Sequence, residues 1–216
     1  MIKILYEDNH LLVVVKPVNI PVQSDISNDD NLLDMLKRYI KDKYEKKGNV
    51  YLGLVHRLDR PVGGVMVFAK TSKAAERLSN QIRNNVFKKE YHAIVCGNTN
   101  SSGKFIDKLL KNERNNIVSV NSNGKEARLE YEKVGFKDNF SLVKIHLETG
   151  RSHQIRVQFS YHGYPLYGDQ KYNKMAKPGQ QIALWATRLT IIHPITHEEL
   201  TFESEFPDKY PWNVFK

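Results

Sequence analysis

The stretch His56-Arg57-Leu58-Asp59-Arg60-Pro61-Val62-Gly63-Gly64 lies between two apolar runs, residues 51–55 and 65–69, that each predict a short β-strand. Its carboxylate, Asp59, stands between two arginines, and Pro61 restricts the backbone directly after them. The two glycines that follow permit a close approach to another segment. The pattern predicts a loop that presents Asp59, although an aspartate in such a connection can equally cap a turn or pair on the surface.

The composition favours one folded domain and a polyanionic partner. The chain has 216 residues, 40% of them hydrophobic, which is enough to bury a substantial core, and we expect a single domain over residues 1–216. It carries 33 basic and 24 acidic residues, for a formal net charge of +9. Many basic proteins bind nothing in particular, but such an excess is typical of proteins that bind nucleic acid. No basic amphipathic segment with a strong apolar face favours a membrane surface instead.

The cysteine and histidine content argues against disulfides and metals. Cys96 is the only cysteine, and the N-terminal residues lack the features of a signal peptide. No apolar run approaches the ~18 residues that a transmembrane helix needs. The eight histidines show no metal-ligand spacing. We therefore expect a cytoplasmic protein that binds neither a membrane nor a metal.

Hydrophobic periodicity predicts strands and helices in alternation along the first half of the chain. The predicted strands are residues 2–6, 11–15, 51–55, 65–69 and 88–97, and the predicted helices are residues 31–44 and 72–82. Candidate N-caps are Asn28, Asp29 and Asp30 for the first helix and Thr71 or Ser72 for the second. The basic face of the first helix, residues 37–47, is expected to be solvated or to extend an RNA-binding surface.

The second half of the chain predicts more strands than helices. Residues 98–125 are rich in Asn, Ser, Gly and Lys and predict loops joining short strands at 105–110 and 117–120, an insertion and not a domain boundary. Further strands are predicted at residues 128–136, 141–147, 182–192 and 199–206, the first two joined by a turn at 137–139. Together with the first half, this order predicts a mixed α/β fold.

A second concentrated signal is Leu147-Glu148-Thr149-Gly150-Arg151-Ser152-His153-Gln154-Ile155-Arg156-Val157. A strand ends in this stretch, and Ser152 is expected to cap a helix that runs to Tyr161 or His162 and is closed by Gly163. Three basic side chains, Arg151, His153 and Arg156, crowd the first turn, where the helix dipole is already positive. An RNA phosphate or a buried carboxylate would relieve this repulsion, unless all three cations are solvated.

Taken together, these stretches resemble the RluA-type pseudouridine synthases, which isomerise particular uridines in ribosomal or transfer RNA. The blocks that resemble the family occur in the family's order: residues 16–22, the His-Arg-Leu-Asp loop, residues 88–97, residues 149–157 with 163–169, and residues 183–189. The His-Arg-Leu-Asp loop and the Thr-Gly-Arg-Ser-His-Gln-Ile-Arg segment are specific. The resemblance implies a curved, largely antiparallel mixed sheet with flanking helices.

The resemblance also assigns roles by position. Asp59 matches the catalytic aspartate, Tyr91 the tyrosine that stacks on the target base, and Arg156 the basic partner of the carboxylate. Arg57 matches a residue that helps to displace the target base. The candidate RNA-binding residues are Arg57, Arg60, Arg151, His153 and Lys16. The implied enzyme uses no cofactor, and we expect a monomer with no separate N-terminal RNA-binding domain.

The chain departs from the family pattern at a few positions. Asn19 stands where glycine is usual, Val62 and Gly63 where Thr-Ser is common, and Trp185 where histidine is common. Asparagine tolerates left-handed backbone conformations, so the first change is mild. Val62 and Gly63 bear on the choice of substrate more than on activity.

The chemistry asks for these residue types independently of the resemblance. Moving uracil from its N-glycosidic bond to a bond through carbon 5 needs no redox step, but it needs an ionised carboxylate near the anomeric carbon, as a nucleophile or as a base. An arginine beside Asp59 would keep it ionised. Two alternatives stay open: a non-catalytic RNA-binding or RNA-folding protein on the same scaffold, and a glycosidase, which normally pairs two carboxylates.

Overall fold

A computed structural model describes residues 2–24 and 29–216, and these contain 11 strands, three α-helices and one 3-10 helix. The strands are β1 Lys3–Glu7, β2 Leu11–Lys16, β3 Gly53–Leu54, β4 Gly63–Ala69, β5 Lys88–Cys96, β6 Ser102–Asn112, β7 Ile117–Val120, β8 Lys125–Lys137, β9 Phe140–Leu147, β10 Leu184–Ile192 and β11 Glu199–Glu203. The helices are α1 Leu32–Lys43, α2 Ser72–Arg83 and α3 Gln154–Tyr161, followed by the 3-10 helix Trp212–Phe215. The predicted mixed, largely antiparallel fold with helices is confirmed.

The chain divides into two compact units. The first unit comprises Met1–Lys88 and Ala186–Glu205, and the second comprises Lys89–Trp185 and Phe206–Lys216. The strands of the first unit follow the order β1-β2-β4-β10, with β3 paired to β4 and β11 to β10. Those of the second unit follow the order β5-β9-β8-β6-β7, with antiparallel pairing throughout.

The core of the first unit explains why β2 and β4 read as continuous apolar runs. Every residue of β4 is buried, and Val65 and Val67 pack with Leu11 and Val13 of β2. Helix α2 lies against the same cluster. At the start of β4, Gly64 has φ 122°, and a Cβ there would lie 2.2 Å from the Ala186 carbonyl oxygen. The predicted close approach at the two-glycine sequence is therefore confirmed at Gly64.

The helix starts differ in part from the prediction. Thr71 caps α2 as expected, since its hydroxyl accepts the Ala74 N–H. The cap of α1 is Asn31, whose side-chain oxygen accepts the Asp34 N–H at 3.0 Å. The prediction of Asp29 or Asp30 as the cap was wrong, because the N-cap position is the residue directly after these two aspartates. Asn28, the remaining candidate, lies outside the described residues.

The predicted Ser152 cap of α3 was also wrong. The N-cap position is His153, which has φ 52° and makes no capping bond with its side chain. Instead the Gln154 amide oxygen accepts the Arg151 N–H at 3.0 Å and the Thr149 hydroxyl at 2.8 Å. The side chain of the first helical residue, Gln154, thus stabilises the turn that precedes α3. Gly163, with φ 87°, follows the end of α3 as predicted.

Residues 98–125 contribute strands to the second unit. Strand β6 is longer than the predicted run and pairs with β8 from Ser102 to Leu109. Its inward residues Phe105 and Leu109 are buried, and the Phe105 ring meets Phe159 of α3 edge-on, with 5.1 Å between centroids. The many polar residues of this segment predicted loops, but several of them occupy exposed positions of β6. This strand alternates between more buried and more exposed positions, as a strand with one solvated face does.

Glu7 joins β1 to α1 and to the end of β4 within the first unit. Its carboxylate accepts hydrogen bonds from Lys43 at 2.8 Å, Tyr44 at 2.8 Å, Lys70 at 2.9 Å and Tyr39 at 3.0 Å. Burial favours the neutral acid, but these donors outweigh it and lower the pKa of Glu7 to about 2.

Replacing Glu7 by Gln should therefore destabilise the protein in a pH-dependent way. A folded-state pKa below the ordinary value of 4.5 means that the ionised carboxylate stabilises the fold above that pH and loses this effect as the pH falls toward about 2. We expect a loss of about 1–3 kcal/mol in the free energy of unfolding at pH 7, measured by urea titration. The difference from wild type should shrink between pH 5 and 2. A constant difference over that range would contradict the assignment, and Glu76→Gln, an exposed change on α2, is the control.

Candidate active site

The loop between β3 and β4 presents Asp59 on a tight turn. The Asp59 carbonyl oxygen accepts the Val62 N–H at 2.9 Å, so the chain folds back across Arg60 and Pro61. Asp59 is partly buried, between the buried Leu58 and the exposed Arg60. Strand β3 is shorter than the predicted 51–55, which leaves more of the chain to form this loop.

Lys16, at the end of β2, stabilises this turn through hydrogen bonds to backbone carbonyl oxygens. Its side chain is fully buried, and its ammonium donates to the carbonyl oxygens of Val62 at 2.8 Å, Pro17 at 2.9 Å and Arg60 at 3.0 Å. Burial lowers the pKa of Lys16 to about 7, the Asp59 charge opposes this shift, and the Arg60 charge adds to it. All three ammonium protons are used within the protein.

The prediction that Lys16 contacts RNA is corrected by this geometry. An ammonium that is buried and bonded to three carbonyl oxygens has no donor left for a phosphate. Lys16 instead fixes the backbone on both sides of Pro61, and so sets where the Asp59 turn lies. Among the other loop cations, Arg57 is exposed, and the Arg60 guanidinium pairs with Asp29 at the surface.

In the second unit, basic residues lie at the start of α3. Arg156 is 6% exposed and forms a two-point ion pair with Asp169, with Nε to Oδ2 at 2.9 Å and Nη2 to Oδ1 at 2.8 Å. Asp169 is itself buried and accepts the Lys171 N–H at 3.1 Å. For Arg156, the buried-carboxylate alternative is thus confirmed. Its predicted pairing with Asp59 stays a prediction.

Tyr172 links Arg156 to His153. The Arg156 guanidinium carbon lies 5.2 Å from the centre of the Tyr172 ring, and the Tyr172 hydroxyl lies 2.6 Å from His153 Nδ1. The same hydroxyl oxygen accepts the Val118 N–H of β7 at 2.9 Å. His153 is therefore buried and bonded within the protein, so a direct contact with RNA, as predicted, would require its other ring nitrogen.

Tyr91 and Arg151 occupy different environments in the second unit. Tyr91 lies on β5 opposite Ile145 of β9, and it is 6% exposed, so its placement on a rigid strand is confirmed. Arg151 is exposed, and its Nε donates to the Glu126 carbonyl oxygen at 2.9 Å. Arg151 can therefore still present its terminal nitrogens to an anion.

The departures from the family pattern have local structural counterparts. Asn19 has φ 64°, the left-handed conformation that glycine or asparagine adopts most readily, as expected. Val62 is buried, and its carbonyl oxygen is one of the three that Lys16 contacts. Trp185 is 8% exposed on β10.

Sequence reasoning missed Asp169 and Tyr172. Asp169 ends the turn-rich connection 163–169, in which Gly168 has φ 71°, and Tyr172 follows it. The sequence marks this connection as a turn, but nothing in its spacing relates it to Arg156, 13 residues earlier. An unpaired buried cation at a helix start requires a carboxylate somewhere, and that requirement was the available signal.

Two structural features are absent from residues 2–24 and 29–216. These residues contain no cluster of three or more His, Cys, Asp or Glu side chains able to hold a metal ion. None of their helices is both long and apolar enough to cross a membrane.

Comparison with known proteins identifies the family. Residues 10–161 match the model of the RNA pseudouridylate synthase family. The chain belongs to this family. It is 35% identical over 220 residues to ribosomal large subunit pseudouridine synthase D of Zymomonas mobilis, covering 95% of this chain and 69% of that protein. An uncharacterised RNA pseudouridine synthase of Bacillus subtilis, YjbO, is 34% identical over 207 residues, covering 94% of this chain and 72% of that protein.

Solved structures agree on the fold. The human RNA pseudouridylate synthase domain containing 4 superposes with a TM-score of 0.79 at 24% sequence identity, over 95% of this chain and 88% of that one. The resemblance to the RluA-type pseudouridine synthases is confirmed, and the chain is an RNA pseudouridine synthase, an isomerase.

The Arg156–Asp169 pair predicts a large stability effect. Asp169→Ala removes the carboxylate that pairs with the buried Arg156 guanidinium and should lower the free energy of unfolding by roughly 3–5 kcal/mol, measured by urea denaturation. The control is Glu203→Ala, which removes an exposed ion pair with Arg188 and should cost less than about 1 kcal/mol. Equal losses in the two variants would contradict a structural role for the buried pair.

Proposed function

We propose that this pseudouridine synthase isomerises specific uridines of ribosomal RNA, with Asp59 as the reacting carboxylate. The observation that carries the proposal is the Asp59 turn, which Lys16 fixes by three hydrogen bonds within a chain of the pseudouridine synthase family. The relatives named for the ribosomal large subunit support ribosomal RNA as the substrate class. Transfer RNA as a substrate, a monomeric state and a cytoplasmic location stay predictions from the sequence.

The reaction breaks the bond between uracil N1 and ribose C1′ and forms a bond between uracil C5 and C1′. The proton on C5 is lost and N1 gains one, so atoms and electrons balance without an oxidant or an energy source. Asp59 acts in its ionised form, either by adding to C1′ or by removing a proton from the neighbouring C2′. Both routes require a carboxylate held in a fixed position, which the Lys16 contacts supply.

The remaining roles follow from the family resemblance. Tyr91 is proposed to stack on the target uracil, which must leave the RNA stack at a cost of a few kcal/mol. Its position on a paired strand favours this role, because a rigid aromatic ring loses little entropy when it binds a base. Arg156 is proposed as the basic partner of the catalytic carboxylate, and Asp169 holds its guanidinium in place.

Asp59→Asn tests the catalytic assignment. The variant should fold and bind RNA but form no pseudouridine, because a side-chain amide is neither a nucleophile nor a base near neutral pH. The measurement is pseudouridine formation in unmodified ribosomal RNA under single-turnover conditions. Turnover above about one hundredth of wild type would remove Asp59 from this role. Asp42→Asn, an exposed change on α1, is the matched control and should leave the rate unchanged.

The basic residues around α1 provide a separate test of the RNA surface. Carboxylates already pair three of them: Lys37 with Asp34, Arg38 with Asp30 and Lys43 with Glu7. The remaining basic side chains, Lys41, Lys46 and Lys47, are exposed. If RNA contacts this surface, these three lysines are the better candidates for phosphate contacts.

RNA binding should weaken steeply as salt rises, with a log–log slope near −3 to −5 if about 4–6 phosphates are contacted. Replacing Lys41, Lys46 and Lys47 together by Ala should flatten the slope by about two, as measured by filter binding over a salt series. Lys43→Ala should leave the slope close to wild type, because Glu7 already neutralises that ammonium. An unchanged slope in the triple variant would mean that this face is only solvated.

A further inference from the structure

Lys89 is a half-buried cation on the same strand face as Tyr91. The two residues are two positions apart on β5, so their side chains project from the same side of the strand. Ala93 and Val95 continue this face and are fully buried. Lys89 therefore stands at the open end of a buried face, about 6.6 Å along the strand from Tyr91.

The ammonium of Lys89 lies against the loop that precedes α3. A Cβ on Gly150 would come within 3.1 Å of Lys89 Nζ, so the ammonium occupies the space that a side chain would take there. Arg151, exposed and cationic, is the next residue. Lys89 thus brings a second positive charge to this loop.

No partner within residues 2–24 and 29–216 neutralises Lys89: neither a carboxylate nor a hydrogen-bond acceptor contacts its ammonium. Burial lowers its pKa from 10.5, with no opposing charge. The nearest acidic residue along the loop, Glu148, already pairs with Lys104 at 2.6 Å and Arg128 at 3.0 Å. By contrast, Lys16 is fully bonded, and Lys70 contacts Glu7 at 2.9 Å.

An ammonium that is partly desolvated and unpaired raises the energy of the free protein. Binding an anion there recovers part of this cost, because the charge then gains a counter-ion and hydrogen bonds. The separation of Lys89 and Tyr91 is on the scale of one nucleotide, whose phosphate and base are joined through the ribose. This geometry suits an RNA strand that places a base on Tyr91 and a phosphate beside Gly150.

We propose that Lys89 is a phosphate-binding residue, whose ammonium contacts a backbone phosphate oxygen of the substrate RNA next to the nucleotide that stacks on Tyr91. The inference rests on the proposed function, since it takes Tyr91 as the stacking residue. It adds a substrate contact that none of the candidate RNA-binding residues above supplies.

The test compares Lys89→Gln, Lys89→Arg and the control Lys88→Gln, an exposed change on the other face of β5. Binding of unmodified ribosomal RNA is measured over a salt series, and pseudouridine formation by wild type is measured in parallel. Lys89→Gln should flatten the log–log salt slope by roughly 0.7–0.9 and weaken binding about ten-fold at low salt. Lys89→Arg should keep the wild-type slope.

The pH dependence separates a phosphate contact from a packing role. Phosphate binding needs the charged amine, so wild-type affinity should fall at alkaline pH as Lys89 loses its proton, at a lower pH than an ordinary lysine would. Lys89→Arg should not show this fall, because the guanidinium stays charged. If Lys89→Gln does not fold, the comparison of wild type with Lys89→Arg tests the proposal. An RNA affinity of Lys89→Arg that no longer falls at alkaline pH supports it, and a fall equal to that of wild type overturns it.

The outcomes also separate this inference from the proposed function. A wild-type protein that forms no pseudouridine in ribosomal RNA would refute the proposed substrate. A wild-type protein that forms pseudouridine, with Lys89→Gln matching Lys88→Gln in slope and affinity, would refute the Lys89 contact alone.

Discussion

The buried ammonium of Lys16 is the constraint on which the Asp59 loop depends. It gathers three carbonyl oxygens that face inward, two of them on either side of Pro61, and no other kind of side chain could donate three bonds to such a cluster from one atom. Burial lowers the pKa of Lys16 to about 7, the Arg60 charge adds to this shift, and the Asp59 charge opposes it. The backbone of the loop that carries Asp59 is therefore coupled to the protonation state of a buried lysine.

The fold also accommodates several positive charges at the start of α3. Three basic residues near a helix N-terminus repel one another and the helix dipole, and the fold resolves each case differently. Arg156 is neutralised by Asp169, His153 is bonded to the Tyr172 hydroxyl, and Arg151 stays at the surface. Because Tyr172 also accepts a bond from β7, the long hairpin of β6 and β7 is tied to the same network. The polar hairpin thus has a structural connection to the basic residues at the start of α3.

The sequence predicted the elements better than their contacts. Strands such as β2 and β4 and helices such as α1 and α2 follow from local periodicity, which depends only on which face of the element is buried. The left-handed backbone at Asn19 was also predictable, because few residue types adopt it. The contacts within the candidate site were harder to predict. That Lys16 would be buried beneath Arg60, 44 residues away, depends on how β2 pairs with β4, and no local pattern encodes that register.

The same distinction limits what net charge says about function. A charge of +9 suggested RNA, yet two of the basic residues chosen as contacts are engaged within the protein: Lys16 with carbonyl oxygens and Arg60 with Asp29. These cations add to the total charge but can offer little to a phosphate. A cation that the fold leaves without a partner, as it leaves Lys89 in the described residues, is a stronger indication of a binding site than the total. For a basic enzyme the useful measure is thus the set of charges that the protein does not satisfy by itself, and only tertiary structure reveals that set.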